Sequence, residues 1–262
     1  MKNKVDITTI VGLIIAVGGL GVGYFLEGGD FKALIAISPI IIIFGGTFGF
    51  VIVTLPMSTI KRIPGIFKSV FTEKEYDYIA LINQLCEWAG TARKQGIVAL
   101  DKAKDEVTDP FLKRGLTLVV DSIEPEAVKD FLETDIGQTM ERHKQNAGIF
   151  DQAGAAAPTM GIMGTVLGLV VILAGLGNSS TAELGHGIAT AFLATLMGVA
   201  SANLVYIPFS TKLKNKSAKE ILYREISTHG ILAIQANESP IILKERLLSY
   251  LPDHLKAKGR GE

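Results

Sequence analysis

Four stretches of this chain, residues 7–26, 33–60, 152–182 and 184–211, contain no Asp, Glu, Lys or Arg. Each runs for roughly 20 or more residues, enough for a helix to cross the hydrocarbon of a bilayer with its backbone amides satisfied internally. The expected fold class is therefore an all-α membrane protein with four transmembrane helices and a helical cytoplasmic domain inserted between the second and third. Basic and acidic residues balance at 26 each, and 48% of the chain is hydrophobic. That balance excludes a nucleic-acid binder selected by bulk charge.

The charges between the stretches orient them. Lys2 and Lys4 precede the first, Lys61, Arg62 and Lys68 follow the second, Arg142, His143 and Lys144 precede the third, and Lys212, Lys214, Lys216 and Lys219 follow the fourth. The two short links, 27–32 and 177–185, carry Glu27, Asp30 and Glu183 against only Lys32. By the positive-inside rule both termini and the long middle segment are cytoplasmic. The start resembles a signal peptide, but its apolar run is too long for a signal core and lacks a small-x-small cleavage site, so it is read as a retained span. The expected organisation is residues 1–60, helices 1 and 2; 61–150, the cytoplasmic domain; 151–211, helices 3 and 4; and 212–262, a charged cytoplasmic tail.

Helices 3 and 4 share a short link and form an antiparallel hairpin. Gly154, Gly161, Gly168 and Gly175 recur every seven residues, close to two helical turns, and form one smooth stripe. Helix 4 has a small face of its own with Gly187, Ala191, Ala194, Gly198 and Ser201. Such faces let membrane helices approach through van der Waals contact, either within one subunit or against a partner. Counting about 1.5 Å per residue from the middle of the link places Thr165 and Thr195 at nearly the same depth, with Pro158 and Pro208 paired below them. Each hydroxyl either bonds its own helix carbonyl or serves a shared site. Each proline removes one helix hydrogen bond and marks a static kink or a hinge.

No carboxylate lies inside any of the four stretches, although coupling an ion gradient to work normally uses an intramembrane acid. If ions cross here, a partner supplies the acid. Cys86 is the only cysteine and reads as a packing residue; the four histidines are too scattered for a metal site. No nucleotide-binding loop or catalytic constellation is present, so the chain reads as non-enzymatic, without cofactor or metal. Asn178-Ser179-Ser180 matches a glycosylation triplet by chance. In the middle segment, Thr72 and Glu75 have capping-box spacing before an apolar repeat of Ile79, Leu81, Ile82, Leu85 and Trp88. Further helices are expected over 98–107, 110–123 and 125–133, then 217–236 and 241–251, with a disordered end from Lys256.

Four motifs in order, ARKxGxxALD (92–101), ERHKxxxGIF (141–150), GxxAPTMGIMGTVLGLV (154–170) and ATLMGxxxxNxVYxP (194–208), make the chain resemble the MotA/PomA family of flagellar stator A subunits. The related ExbB/TolQ envelope energisers, which use the proton motive force, share the central hairpin but usually have three spans and an outside N-terminus.

The stator resemblance implies an inner-membrane protein of bacterial motility and chemotaxis that couples inward cation flow to torque. It implies a pentamer in membrane lipid around a MotB/PomB-like, peptidoglycan-anchored partner whose Asp carries the ion. By resemblance Thr165 and Thr195 line the ion pathway and Pro158 and Pro208 are hinges. The same resemblance implies that Arg93, Lys94 and Asp101 contact the rotor switch protein, with Asp101 standing where the family has Glu. Without the family, those three charges read as a solvated helix end. The resemblance makes Gly154, Gly161, Gly168, Gly175, Ala194 and Gly198 packing or partner-facing positions. Paired threonines lean towards sodium over protons as the transported ion, whereas Ala155, where some sodium-driven relatives have Asp, leans the other way.

Overall fold

A computed structural model describes residues 3–177 and 179–260; Lys2 and the acceptor Asn178 lie outside the described residues. Among the described residues four helices are long and apolar enough to cross a membrane: Ile7–Leu26, Phe31–Thr54, Pro125–Ala174 and Thr181–Gln235. In chain order these are the first to fourth span helices. Two short strands, Asn3–Val5 and Thr72–Lys74, pair with each other. The chain divides into two compact units, one of Val5–Glu73 with Lys144–Lys214 and one of Met1–Lys4, Lys74–His143 and Asn215–Glu262.

In the second of these units the Tyr78–Gln95 helix buries Leu81, Ile82, Leu85 and Trp88. Their spacing places them on one helical face. They share a core with Leu112 and Leu116, Val128 and Leu132, and Ile226, Ile231 and Ile234. Leu243 and Leu247 of the Pro240–Leu248 helix close it, so the segment after residue 215 contributes core as well as charge. Cys86 packs half-buried at its edge, and burial pushes its thiol pKa up. Beside the core, His143 Nδ1 lies 3.0 Å from Ser217 Oγ. Arg224 bonds Asp135 at 3.2 Å and Glu220 at 2.8 Å.

Several local expectations are corrected. Thr72 and Glu75 do not cap a helix: Thr72 begins a strand, Glu75 pairs with Lys4 at 2.6 Å, and Asp77 caps through Ala80 N at 2.9 Å. An Asp directly before the apolar repeat is the better acceptor for the first free amides. The helix expected to end at Glu133 runs unbroken from Pro125 to Ala174, because nothing between Glu133 and Ala157 breaks a helix. The end expected to be disordered is helical over Asp253–Arg260. Gly259 is buried against Leu248 and Ile79, and Arg260 pairs with Glu245 at 2.6 Å.

The unit carrying the spans has a smaller core of Val51, Ile66, Val70, Ile149, Phe150, Ala153 and Phe209. Phe209 is its centre, with Phe67, Phe71 and Phe150 edge-on at 5.4–5.7 Å between ring centres. Edge-to-face contact aligns the positive ring edge with a negative ring face.

Candidate functional site

The hairpin of the third and fourth span helices is held by its small residues. A Cβ built on Gly161 would lie 2.9 Å from Ala194 O, one on Gly168 2.9 Å from Ala191 Cβ, and one on Gly198 2.6 Å from Ala157 O. Side chains at these positions would force the helices apart. Of the candidate packing or partner-facing residues, Gly161, Ala194 and Gly198 are buried in this contact within the chain. Gly154 faces Ile207 and Tyr206, and Gly175 lies beside Ser179 just past the helix end. The stripe thus serves the hairpin itself. The surface left outside is apolar, with Ile162, Val166 and Val170 on one helix and Phe192, Leu196 and Val199 on the other.

Close approach brings the two threonines together. Thr165 Oγ1 is 2.6 Å from Thr195 Oγ1, 2.8 Å from Ala191 O and 3.1 Å from Gly161 O; Thr195 Oγ1 is 3.5 Å from Gly161 O. Thr165 reaches both a carbonyl of its own helix, Gly161 O, and one across the pair, Ala191 O, whereas the contacts of Thr195 run across the pair. The hydroxyls can donate only two hydrogens among these contacts. One consistent arrangement has Thr195 donating to Thr165 and Thr165 donating to Ala191 O, leaving lone pairs on Thr195 open to a donor or a cation.

The prolines are not level. Gly154, four residues before Pro158, faces Ile207, and Pro208 comes one residue later, so Pro208 sits about five residues, roughly 7.5 Å, below Pro158. Counting from the link near Thr181 gives the same sense, because Pro208 is four residues further from it than Pro158. Pro158 is inside its helix and leaves Gly154 O without its amide partner. Pro208 follows a π-turn at Ala202–Tyr206, where Ile207 N reaches back to Ala202 O. Widening the turn makes room for the proline ring, which would clash in a regular helix. The second span helix has a π-turn too, at Ile41–Gly45.

Asp6 and Lys212 form an ion pair that residue patterns did not single out. The Asp6 side chain is 0% exposed, 2.8 and 3.0 Å from Lys212 Nζ through its two oxygens, and accepts from Thr8 Oγ1 at 2.7 Å and Thr9 N at 3.3 Å. The signal was present: an Asp at the start of the first apolar run is an N-cap, and Lys212 is the first charge after the fourth. A cavity of about 340 Å³ adjoins them, between Thr8, Gly12 and Ala16 on one side and Asn203, Leu204 and Pro208 on the other. Near the link end of the hairpin a second, of about 380 Å³, is lined by Ser38, His186 and Thr190 among apolar groups.

Arg93 and Lys94 are exposed in the last turn of the Tyr78–Gln95 helix. Gly96 ends that helix at φ 84°, which suits glycine. A 3-10 turn, Ile97–Leu100, leads to Asp101, which is 2.6 Å from Lys104 and starts the Asp101–Glu106 helix. The three charges thus flank one surface turn. Among the described residues no group of three or more His, Cys, Asp or Glu side chains could hold a metal ion.

Residues 103–226 match the model of the MotA/TolQ/ExbB proton channel family, and residues 10–96 that of the motility protein A N-terminal region. Motility protein A of Bacillus subtilis (strain 168) is 39% identical, over 98% of this chain and 96% of its own. Chemotaxis protein PomA of Vibrio alginolyticus is 32% identical, over 96% and 98%. The solved flagellar MotAB stator complex from Bacillus subtilis contains a chain with TM-score 0.90 and 38% identity, covering 96% of this chain and 98% of that one. A C. jejuni MotAB structure gives TM-score 0.89 at 29% identity, over 95% and 96%.

Proposed function

The chain belongs to the motility protein A branch of the MotA/TolQ/ExbB proton channel family, and from this we propose that it is the A-type stator subunit of a bacterial flagellar motor. It resides in the inner membrane with both termini and residues 61–150 cytoplasmic. With a MotB/PomB-like partner anchored to peptidoglycan it couples inward flow of a monovalent cation to torque, as a machine and not an enzyme. One observation carries the reading most: a hairpin with paired hydroxyls but no carboxylate in any charge-free stretch. Such a chain conducts only when another protein brings the acid. A crossing ion supplies about 2.3 kcal/mol per 100 mV, delivered as rotation.

In this reading five copies surround the partner's helices, with membrane lipid outside. Thr165 and Thr195 lie on the ion pathway, Pro158 and Pro208 are hinges, and Arg93, Lys94 and Asp101 push the rotor switch protein. The outer faces of the hairpin meet the partner and neighbouring copies, and the glycine rows keep each hairpin rigid between them. Sodium is the proposed ion, because paired hydroxyl oxygens suit a partly dehydrated sodium ion; protons are the alternative. Matches along nearly the whole chain to motility proteins favour this over an ExbB/TolQ-type energiser.

Co-purification tests the complex, and swimming speed against sodium at fixed pH tests the ion. A co-purifying protein with one span and a peptidoglycan-binding domain is the expected result. A partner without that domain would favour the energiser, and sodium-independent rotation would discard sodium.

A further inference from the structure

Several observations in the span-bearing unit converge on the turn after Pro208. The π-turn at Ala202–Tyr206 and the missing amide of Pro208 weaken the fourth span helix at one level. One turn later, Lys212 is joined to the buried Asp6 at 2.8 Å and to Thr8 Oγ1 at 3.0 Å. Asp6 also caps the first span helix through Thr9 N, and its own backbone N donates to Phe71 O at 2.9 Å. Between the first span helix and the weakened turn lies the 340 Å³ cavity, and a Cβ added to Gly12 on its wall would meet nothing within 4 Å.

A bend needs a backbone that yields, free space on the side it closes towards, and an attachment that sets what moves with it. All three occur here within two helical turns.

We propose that Asp6 and Lys212 are positioning residues for the Pro208 hinge. Their ion pair makes the start of the first span helix move with the segment below Pro208, and the adjoining cavity is the space into which the bend closes. The inference rests on the stator reading and deepens it. A buried pair held by several hydrogen bonds is a poor source of stability compared with apolar packing, but it fixes one arrangement strongly, because a lone partner would leave a buried charge unpaired. Its best use is therefore to set geometry.

The test uses the full chain with its partner subunit in cells lacking their own stator. Asp6→Asn keeps the helix cap and removes the charge; Lys212→Gln removes the other. Lys212→Arg is the conservative rescue, and Gly12→Phe fills the cavity without touching the pair. Per-stator torque at high load is compared with the number of fluorescent stators at each motor and with recovery of the purified complex. Expected are normal recruitment, loss of more than half the torque in Asp6→Asn, Lys212→Gln and Gly12→Phe, and near-normal torque in Lys212→Arg. If either charge variant fails to assemble, Lys212→Arg and Gly12→Phe still decide. Normal torque in Gly12→Phe, or a torque loss in every variant that follows recruitment in proportion, would overturn the positioning role. Failure of the wild-type chain to drive rotation would instead defeat the stator reading, and this inference with it.

Discussion

Gly198→Ala provides the sharpest test of the hairpin. Its new Cβ would lie 2.6 Å from Ala157 O, 3.0 Å from Gly161 Cα and 3.2 Å from Gly161 N. Carbon atoms pack best at about 3.5–4.0 Å, so the helices must part locally by roughly 0.5–1 Å, which forfeits a quarter to a half of each affected contact. Overpacking of this kind costs about 1–3 kcal/mol. The 2.6 Å contact between Thr165 and Thr195, one turn away, would stretch as well, and an interhelical hydrogen bond in a membrane contributes about 0.6 kcal/mol on average. The expected loss is therefore about 1.5–3.5 kcal/mol. Equilibrium unfolding of the purified chain in mixed micelles measures it. Gly185→Ala, with nothing within 4 Å, is the control and should be neutral or slightly stabilising. Gly161→Ala strains the same contact, so the double variant should cost at least about 0.5 kcal/mol less than the sum of the singles. A neutral Gly198→Ala, or full additivity with Gly161→Ala, would refute the account of the glycine rows.

Pro158→Ala restores the amide that Gly154 O lacks, and should leave the complex assembled while abolishing swimming; normal swimming would remove Pro158 from the hinge. Thr165→Val and Thr195→Val should each cost about 0.6 kcal/mol of stability and lower ion-dependent speed, with Thr165→Ser close to wild type; equal speeds across a sodium series would take the pair off the pathway. His143 and His229 are half-buried, and burial holds both below the usual value of 6.5. For a base whose folded pKa is depressed, the unfolded chain binds more protons, so stability is fully present above about 6.5 and falls as pH drops towards the folded value. Acid denaturation followed by tryptophan fluorescence at Trp88 should show this fall, and His143→Gln should flatten it; an unchanged profile would contradict the assignment.

The spans were legible because absence of charge over a bilayer's width needs no knowledge of packing. The Thr165–Thr195 level was legible for a similar reason: helix rise is constant, so counting from the link suffices over a short distance. The offset of the prolines was legible by the same count, since Pro208 is four residues, about a turn, further from the link than Pro158. π-turns leave no composition signature; Ala202–Tyr206 reads like any apolar helix until the proline after it is considered. Thr72 and Glu75 mislead because a capping box is two short-range signals that long-range pairing, here with Lys4, overrides. The Asp6–Lys212 pair joins residues 206 apart in sequence, a separation at which no periodicity speaks.

In the proposed stator the hydroxyl pair would also separate ion choice from torque. Thr165 and Thr195 are neutral groups that do not store a proton near neutral pH, so on their own they can offer a cation lone pairs but cannot hold charge between steps. With Thr165 donating to Ala191 O and Thr195 to Thr165, Thr195 keeps two lone pairs open to an ion and Thr165 one. A carboxylate arriving from a partner would accept a proton or hold a sodium ion with equal right, and the hydroxyls beside it would add oxygen ligands useful to sodium alone. The proposed hinges, Pro158 and Pro208, and the proposed rotor-facing charges, Arg93, Lys94 and Asp101, lie elsewhere in the chain and are indifferent to that choice. It follows that replacing the hydroxyls should shift which ion drives rotation before it alters the torque that each completed step delivers.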